Sequence, residues 1–272
     1  MQFVEANGVK IPAIGLGTSE LRRRTCARIV EQALKLGYRH IDTAQAYDNE
    51  REVGEGLRAS GIKRDEVFVT TKIWTTHFAA KDLERSAKES LARLRLSEVD
   101  LLLLHWPNPQ VPLAETLGAL ARVKQAGHAR HIGVSNFTVA LIEEAVAACP
   151  EPLICDQVEY HPYLDQTKVR EACARHQMAL VAYSPVARGR VKGDPTLARI
   201  AERYGKSAAQ VCLRWLVQQN VCAIPRTSRI ERLSENIDIF DFSLDEDDMA
   251  AIASLATAKG RFTDYGFAPK WD

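Results

Sequence analysis

The sequence lacks most features of membrane-bound, nucleic-acid-binding or disulfide-stabilised proteins. Its 272 residues carry 36 basic and 35 acidic side chains, a net charge of +1. Because neither sign dominates, nucleic acid and anionic membranes are not favoured as partners. No apolar run approaches the ~20 residues that cross a bilayer, and the first residues lack the charged and apolar segments of a secretory signal. The sequence therefore predicts a cytoplasmic protein.

Disulfide and metal-binding patterns are also missing. The cysteines include no Cys-x-x-Cys pair, and a chain of 272 residues can build a core without disulfides. His128, His131 and His161 have no acidic or cysteine partners at ligand spacing, so we predict no metal site. Free thiols are the favoured interpretation of all six cysteines, Cys26, Cys149, Cys155, Cys173, Cys212 and Cys222.

What the sequence does contain is a regular alternation of strand and helix patterns. Asn7-Gly8 between two short apolar segments predicts a β-hairpin. Apolar residues at helical spacing follow in segments such as 83–94 and 207–219. Eight further segments are typical of strands: 12–17, 38–42, 67–72, 99–105, 131–135, 154–159, 179–183 and 221–225.

This alternation predicts a (β/α)8 TIM barrel, formed as one domain by residues 1–272, with the hairpin capping the bottom of the barrel. The length is close to the ~250 residues typical of such barrels. A last helix is predicted over 243–256, where Ser243 and Glu246 form a capping box. The aperiodic segment 260–272 is predicted to lie as a loop over one end of the barrel. The alternative, an open doubly wound sheet, needs a glycine-rich turn after its first strand, and Glu20 stands where the third glycine belongs.

Four chemically active side chains follow the predicted strands. Asp42, Lys72 and His105 end three successive strands, and Tyr47 comes shortly after the first of these. Parallel barrels place their active sites at the strands' C-terminal ends. There Tyr47 could donate a proton, with Lys72 lowering the phenol's pKa and Asp42 holding Lys72. Singly, a tyrosine usually packs and an aspartate usually caps a helix, but a lysine closing an apolar strand needs a partner.

Six motifs then carry a resemblance to a known family. They are 37–44 with Tyr47 just beyond, 71–74, 101–107, 132–137, 157–162, and 224–227 with Arg232, Glu235 and Asn236. In this order they resemble the aldo-keto reductase family, from residue 3 to about residue 245. The short length and the ending 268–272 are similar to bacterial 2,5-diketo-gluconate reductases.

The resemblance implies a role for each matched position. Tyr47 would be the general acid, Asp42 and Lys72 its pKa-lowering pair, and His105 the residue that orients the carbonyl. Trp74, His105 and Trp106 would line the substrate pocket. NADPH would be the cofactor, and its contacts would be Thr18, Asp42, Ser135, Asn136, Gln157, Tyr183, Ser184, Pro185, Val186, Arg188, Gly189, Ile224, Pro225, Arg226, Thr227, Ser228, Arg232, Glu235 and Asn236.

Among these contacts, Ser135, Asn136 and Gln157 would bind the nicotinamide amide, and Tyr183 would stack on its ring. The segment 184–189 would line the pyrophosphate. The adenosine end would have two partners for its adenine, Glu235 and Asn236, and three for its 2′-phosphate, Arg226, Thr227 and Arg232. Guanidinium forks suit phosphate oxygens.

Two positions depart from the family pattern. Arg226 stands where relatives more often have lysine, and both are cationic. Ser19 and Glu20 replace a tryptophan that walls the substrate pocket in many relatives, which predicts a wider or more polar pocket here.

The expected function is NADPH-dependent reduction of aldehydes and ketones by a monomer, with 2,5-diketo-gluconate, methylglyoxal and similar keto-sugars or dicarbonyls as candidate substrates. Two alternatives stay open. Lys72 could form an imine in a lyase, or the chain could be a non-catalytic, cofactor-sensing subunit.

Overall fold

The computed structural model describes residues 2–272, which contain ten β-strands and ten α-helices. The strands are β1 (Phe3–Ala6), β2 (Val9–Pro12), β3 (Leu16–Gly17), β4 (His40–Asp42), β5 (Phe68–Ile73), β6 (Val99–Leu104), β7 (Ala129–Ser135), β8 (Leu153–Glu159), β9 (Ala179–Tyr183) and β10 (Cys222–Ala223). The helices are α1 (Arg23–Lys35), α2 (Glu50–Ala59), α3 (Ala80–Leu94), α4 (Leu113–Gln125), α5 (Val139–Ala148), α6 (Thr167–Arg175), α7 (Pro195–Tyr204), α8 (Ala208–Gln218), α9 (Ile230–Ile237) and α10 (Glu246–Ala253).

Strands β3 to β10 form one parallel sheet in chain order, and this sheet closes on itself. The Ala223 amide donates to the Ala13 carbonyl, and the Gly15 amide donates to the Ala223 carbonyl, each over 2.9 Å. The seam is tight, because a Cβ on Gly17 would lie 2.8 Å from the backbone oxygen of Ile224. The predicted (β/α)8 barrel is confirmed.

The predicted hairpin caps the bottom of this barrel. Strands β1 and β2 pair antiparallel, and the turn residues Asn7 and Gly8 have φ angles of 45° and 78°, as a two-residue hairpin turn requires. The Asn7 side chain donates to the carbonyl of Leu153 over 2.8 Å. Because Leu153 opens β8, the hairpin lies at the N-terminal ends of the strands.

Several boundaries differ from the sequence prediction, and two of these differences have an identifiable cause. The first barrel strand is shorter than 12–17, because Pro12 pairs with Phe3 in the hairpin. The last helix begins later than predicted: Asp245 caps it by accepting the Asp248 amide over 2.8 Å. The predicted capping box is wrong, since the Ser243 hydroxyl accepts a hydrogen bond from Arg214 instead.

The core lies in the barrel and between the barrel and its helices. All six residues of β6 are buried. Helix α1 buries one stripe, which includes Ile29, Val30 and Leu34, whereas helix α8 is buried at every residue from 209 to 217. The segment 257–272 has neither helix nor strand. As predicted, it lies as a loop over one end of the barrel, where its Phe267 ring contacts Trp74 just after β5. No helix within residues 2–272 is long and apolar enough to cross a membrane.

Candidate active site

A cavity of about 390 Å³ opens at the C-terminal ends of the barrel strands. Its inner end reaches Asp42, Tyr47 and His105, and from there it continues as a groove to Arg226 and Arg232. Because neighbouring parallel strands end at the same side of a barrel, residues distant in sequence meet there.

Lys72 links the residues of the inner end. Its ammonium donates to Asp42 Oδ1 over 2.5 Å, to the Thr43 carbonyl over 2.8 Å and to the Tyr47 hydroxyl oxygen over 3.4 Å. An ammonium has three N–H donors, so all of them are used. The side chain is fully buried and lies behind Asp42 and Tyr47 as seen from the cavity. Since Lys72 donates to the phenol oxygen, the phenol's own proton is free to be donated elsewhere.

The pKa of Tyr47 moves opposite to the sequence prediction. Burial raises the pKa of the phenol above its ordinary value, and the charge of Asp42 adds to this effect. Burial also lowers the pKa of the Lys72 ammonium, against the opposing effect of Asp42. The predicted lowering of the Tyr47 pKa is therefore wrong in net direction, because burial of the phenol is the largest cause of its shift. The phenol stays protonated at neutral pH.

His105 is uncharged and supplies one polar atom to the cavity. Burial and the nearby Lys72 charge lower its pKa well below the usual range. Within residues 2–272, its Nδ1 is buried without a hydrogen-bond partner. Since an unpaired N–H is costlier to bury than a lone pair, the neutral ring is expected to carry its proton on Nε2. The ring is positioned by edge contacts with Tyr47 and Trp74, at centroid distances of 5.6 and 5.3 Å.

Amide side chains connect this inner end to the groove. Gln157 donates its amide nitrogen to Asp42 Oδ2 over 2.7 Å, which leaves its carbonyl oxygen to accept a hydrogen bond. Asn136 donates to the His105 carbonyl over 3.0 Å and accepts from the Tyr183 hydroxyl over 2.8 Å. The Ser135 hydroxyl donates to the Gln157 backbone. The amides are thus held in place by the strand ends.

The outer groove is lined by cations from segments that follow the last two strands, including the start of helix α9. Arg188 and Lys192 lie in the segment after β9, and Arg226 and Arg232 follow β10. Arg226 forms an ion pair with Glu20 across the barrel seam. The site is therefore cationic at one end and provides buried polar groups at the other.

Nineteen of the predicted site residues line this cavity: Asp42, Tyr47, His105, Trp106, Ser135, Asn136, Gln157, Tyr183, Ser184, Pro185, Val186, Arg188, Gly189, Ile224, Arg226, Thr227, Arg232, Glu235 and Asn236. Five do not: Thr18, Lys72, Trp74, Pro225 and Ser228. Each has a simple location. Lys72 lies behind Tyr47, Trp74 packs on His105, Thr18 donates to the Asp42 backbone, Pro225 accepts from Gly17, and Ser228 is exposed.

Five lining residues were not predicted from the sequence: Gly17, Val191, Lys192, Ala209 and Thr263. Lys192 could have been predicted from the sequence, because it extends a run of cations that includes Arg188. Thr263 lies in the aperiodic tail, where no spacing pattern points to a site. Within residues 2–272, no group of three or more His, Cys, Asp or Glu side chains could hold a metal ion.

Aromatic rings form one side of the mouth. Trp106 contacts Tyr265 and Phe267 at centroid distances of 5.6 and 5.5 Å, and Phe267 also contacts Trp74 at 6.0 Å. Ser19 and Glu20 also line the cavity, as the family resemblance implies for these positions.

Comparison with known proteins identifies this arrangement of barrel and site. The profile of the aldo/keto reductase family matches residues 13–257. Methylglyoxal reductase DkgB of Escherichia coli O157:H7 is 41% identical over 265 residues, 96% of this chain and 99% of that protein. The chain belongs to the aldo/keto reductase family, and the predicted resemblance is confirmed.

Solved structures agree with this result. A protein provisionally assigned as 2,5-diketo-D-gluconic acid reductase B superposes with a TM-score of 0.98 at 50% identity, covering 100% of this chain and 98% of that one. A Bombyx mori aldo-keto reductase, solved in complex with NADP, has a TM-score of 0.89 at 34% identity, with 96% and 95% covered.

Proposed function

We propose that this chain reduces aldehydes and ketones to alcohols with NADPH. The observation that carries the proposal is the inner end of the cavity. There a half-buried, protonated Tyr47 accepts a hydrogen bond from Lys72 and lies beside a neutral His105. Such a pair of donors suits a carbonyl oxygen on which negative charge develops.

The roles of the four residues follow from their contacts. His105 Nε2 donates a hydrogen bond to the carbonyl oxygen and orients it. Tyr47 gives its proton to this oxygen. As the phenol loses its proton, the Lys72 ammonium stabilises the phenolate, because Lys72 already donates to the same oxygen. Asp42 keeps Lys72 charged and in place through the 2.5 Å ion pair.

The groove residues fit NADPH by their chemistry. Four cationic side chains line its outer part, Arg188, Lys192, Arg226 and Arg232, and a phosphorylated dinucleotide carries its charge on phosphates. At the inner part, the free carbonyl oxygen of Gln157 can accept a hydrogen bond from a carboxamide. When bound, NADPH supplies the hydride that the carbonyl carbon receives. The cofactor carries the redox chemistry, and the chain aligns the reactants.

Two names among the relatives guide the substrate proposal. Methylglyoxal and 2,5-diketo-D-gluconic acid appear in the names of two relatives. Both compounds carry more than one carbonyl group. Ser19 and Glu20 leave one side of this cavity without a bulky wall. We propose dicarbonyls and keto-sugars as substrates on this basis.

A lyase that forms an imine at Lys72 is less well supported. The amine is fully buried, does not line the cavity and uses all three donors within the protein. A cofactor-sensing subunit would not require a protonated acid at the inner end.

The free state of all six cysteines supports a reducing compartment, and we therefore propose a cytoplasmic protein. We also propose that it is a monomer, since one chain supplies the whole cavity.

The decisive experiment measures NADPH consumption with methylglyoxal, keto-sugars, keto-acids and simple aldehydes, with NADH in parallel. The proposal expects turnover with at least one dicarbonyl and a preference for NADPH. Borohydride trapping followed by mass spectrometry tests the lyase, which requires a modified Lys72. Absence of any NADPH-dependent turnover with the whole panel contradicts the proposal.

A further inference from the structure

The aperiodic tail provides part of the mouth although it has no regular structure of its own. Tyr265 lines the cavity, and Tyr265 and Phe267 stack on each other at 5.4 Å and pack against Trp106. Both rings are about half exposed, at 51% and 48%. A segment without helix or strand needs other contacts to hold such rings in place, because fixing each residue's backbone costs entropy.

A buried carboxylate supplies these contacts. Glu159 is the last residue of β8 and is fully buried. Its Oε1 accepts the Phe262 amide over 2.7 Å, and its Oε2 accepts the Thr263 amide over 2.8 Å. His161 lies 2.9 Å from Oε1, and its ring packs on Phe262 at 5.1 Å. The carboxylate therefore holds two consecutive backbone amides just before Tyr265.

The charge of Glu159 depends on the same contacts. Burial alone would raise the pKa of its carboxyl group, but the hydrogen bonds from His161 and the two tail amides outweigh burial and lower it. The two tail amides thus contribute to keeping the carboxylate ionised. Thr263 also accepts a hydrogen bond from Arg188 over 3.2 Å, so the anchored segment touches the groove as well.

We infer that Glu159 is a positioning residue that acts through Tyr265 and Phe267. By fixing the tail on the end of β8, it holds an apolar wall against the mouth. This wall favours carbonyl substrates whose remaining body is flat and apolar. The inference rests on the proposed function for its kinetic readout, whereas the anchoring itself is a structural statement about the tail.

A matched pair of substrates tests the effect of the aromatic wall on substrate binding. Methylglyoxal and phenylglyoxal present the same adjacent carbonyls and differ in a methyl or a phenyl group. In Glu159→Gln, the new amide N–H groups cannot replace both acceptors, so the tail shifts. We expect KM for phenylglyoxal to rise about tenfold, with an effect on methylglyoxal several times smaller, because a lost hydrogen bond to a charged group has this magnitude.

A second variant moves the tail without touching the carboxylate. A Cβ on Gly260 would lie 1.7 Å from the Tyr163 carbonyl oxygen, so Gly260→Ala must displace the start of the tail. It should reproduce the selective rise in KM. Asp100→Asn is the control, because Asp100 is a buried carboxylate that accepts a backbone amide, from Val69, near the opposite end of the barrel. Asp100 also pairs with two arginines there, so the control includes the loss of these ion pairs. The control should affect the two substrates equally.

A double-mutant cycle and a proteolysis assay decide the outcome. If Glu159 acts through the wall, Phe267→Ala should remove most of the additional effect of Glu159→Gln on phenylglyoxal. Both tail variants should also be cleaved faster by trypsin after Arg261 or Lys270. Equal losses for both substrates, additive effects in the cycle or unchanged cleavage would each overturn the inference. Faster cleavage in a protein that reduces neither substrate would uphold the anchor and reject the proposed function.

Discussion

The two ends of the cavity are built in opposite ways. At the inner end, Lys72 and Asp42 are 0% and 2% exposed and pair with each other at 2.5 Å. At the outer end, Arg226 is 42% exposed, and its ionic partner Glu20 is 71% exposed. Asp42 and Lys72 belong to strand ends, whereas Arg226 lies in the loop after β10. The charged groups of the inner end are thus paired within the protein, whereas the exposed cations of the outer end remain available to bind a ligand.

This difference predicts that the inner end determines the rate of the chemical step and the outer end determines the affinity for the cofactor. Buried, paired groups keep their geometry without a ligand, which is what preorganised acid catalysis requires. Exposed cations contribute little to stability through surface ion pairs and remain free to bind phosphate. Substitutions at the inner end should therefore change kcat, and substitutions at the outer end should change KM for the cofactor.

The largest effect is expected at Tyr47. Tyr47→Phe keeps the ring but removes the proton donor, and a positioned general acid contributes about 10²–10⁴-fold. We expect kcat to fall by at least about 10²-fold, while the dissociation constant for NADPH, followed by protein fluorescence, hardly changes. Retention of more than about a tenth of the wild-type kcat would contradict the assigned mechanism, because that loss is far below the range for a general acid.

Lys72→Met should also lower kcat, because it removes the charge that stabilises the phenolate. The residue is buried, so the circular dichroism spectrum and thermal midpoint should be measured beside the kinetics. Since Lys72 and Tyr47 act as a unit, the double variant should be little slower than Tyr47→Phe alone. Multiplicative losses would show that Lys72 acts independently of the phenol.

The inner end also shows which features of the site could be predicted from the sequence alone. Asp42, Lys72 and His105 could be predicted because each closes an apolar strand, and parallel strands end at one side of a barrel. The direction of the Tyr47 pKa could not, because it depends on burial, which no spacing pattern reveals. Thr263 is missed for a similar reason: the tail has no periodicity, and its place is set by Glu159 far away in the sequence.

A smaller effect is expected at the outer end. Arg226→Ala should raise KM for NADPH about tenfold, the scale of one charge-assisted phosphate contact, and leave KM for NADH nearly constant. Arg229→Ala is the control, because Arg229 is exposed in the same loop and does not line the cavity. Equal losses with both cofactors would assign Arg226 to the fold instead of the 2′-phosphate.

Glu20 should have a weaker influence of opposite sign. Its carboxylate pairs with Arg226 and therefore competes with a bound phosphate for the same guanidinium. Exposed pairs contribute about 0.2–1 kcal/mol, so Glu20→Gln should lower KM for NADPH by about twofold to fivefold. Glu231→Gln removes an exposed acid outside the cavity lining and should have no such effect. A higher KM in Glu20→Gln would mean that the carboxylate assists cofactor binding.

The smallest effect is expected from pH. Burial moves the pKa of His105 below its usual range and that of Tyr47 above it, so neither group titrates near neutrality. Between about pH 6 and 8, an interval that contains the ordinary histidine pKa, kcat at saturating NADPH should therefore change by less than about twofold. KM for NADPH should rise toward pH 6, because a phosphate monoester with a second pKa near 6 loses half its second charge there. The same titration with NADH should lack this rise in KM. An inflection of kcat near the ordinary histidine pKa of ~6.5 would show instead that His105 is charged and donates the proton, and the distinction drawn between the two ends would fail at its inner end.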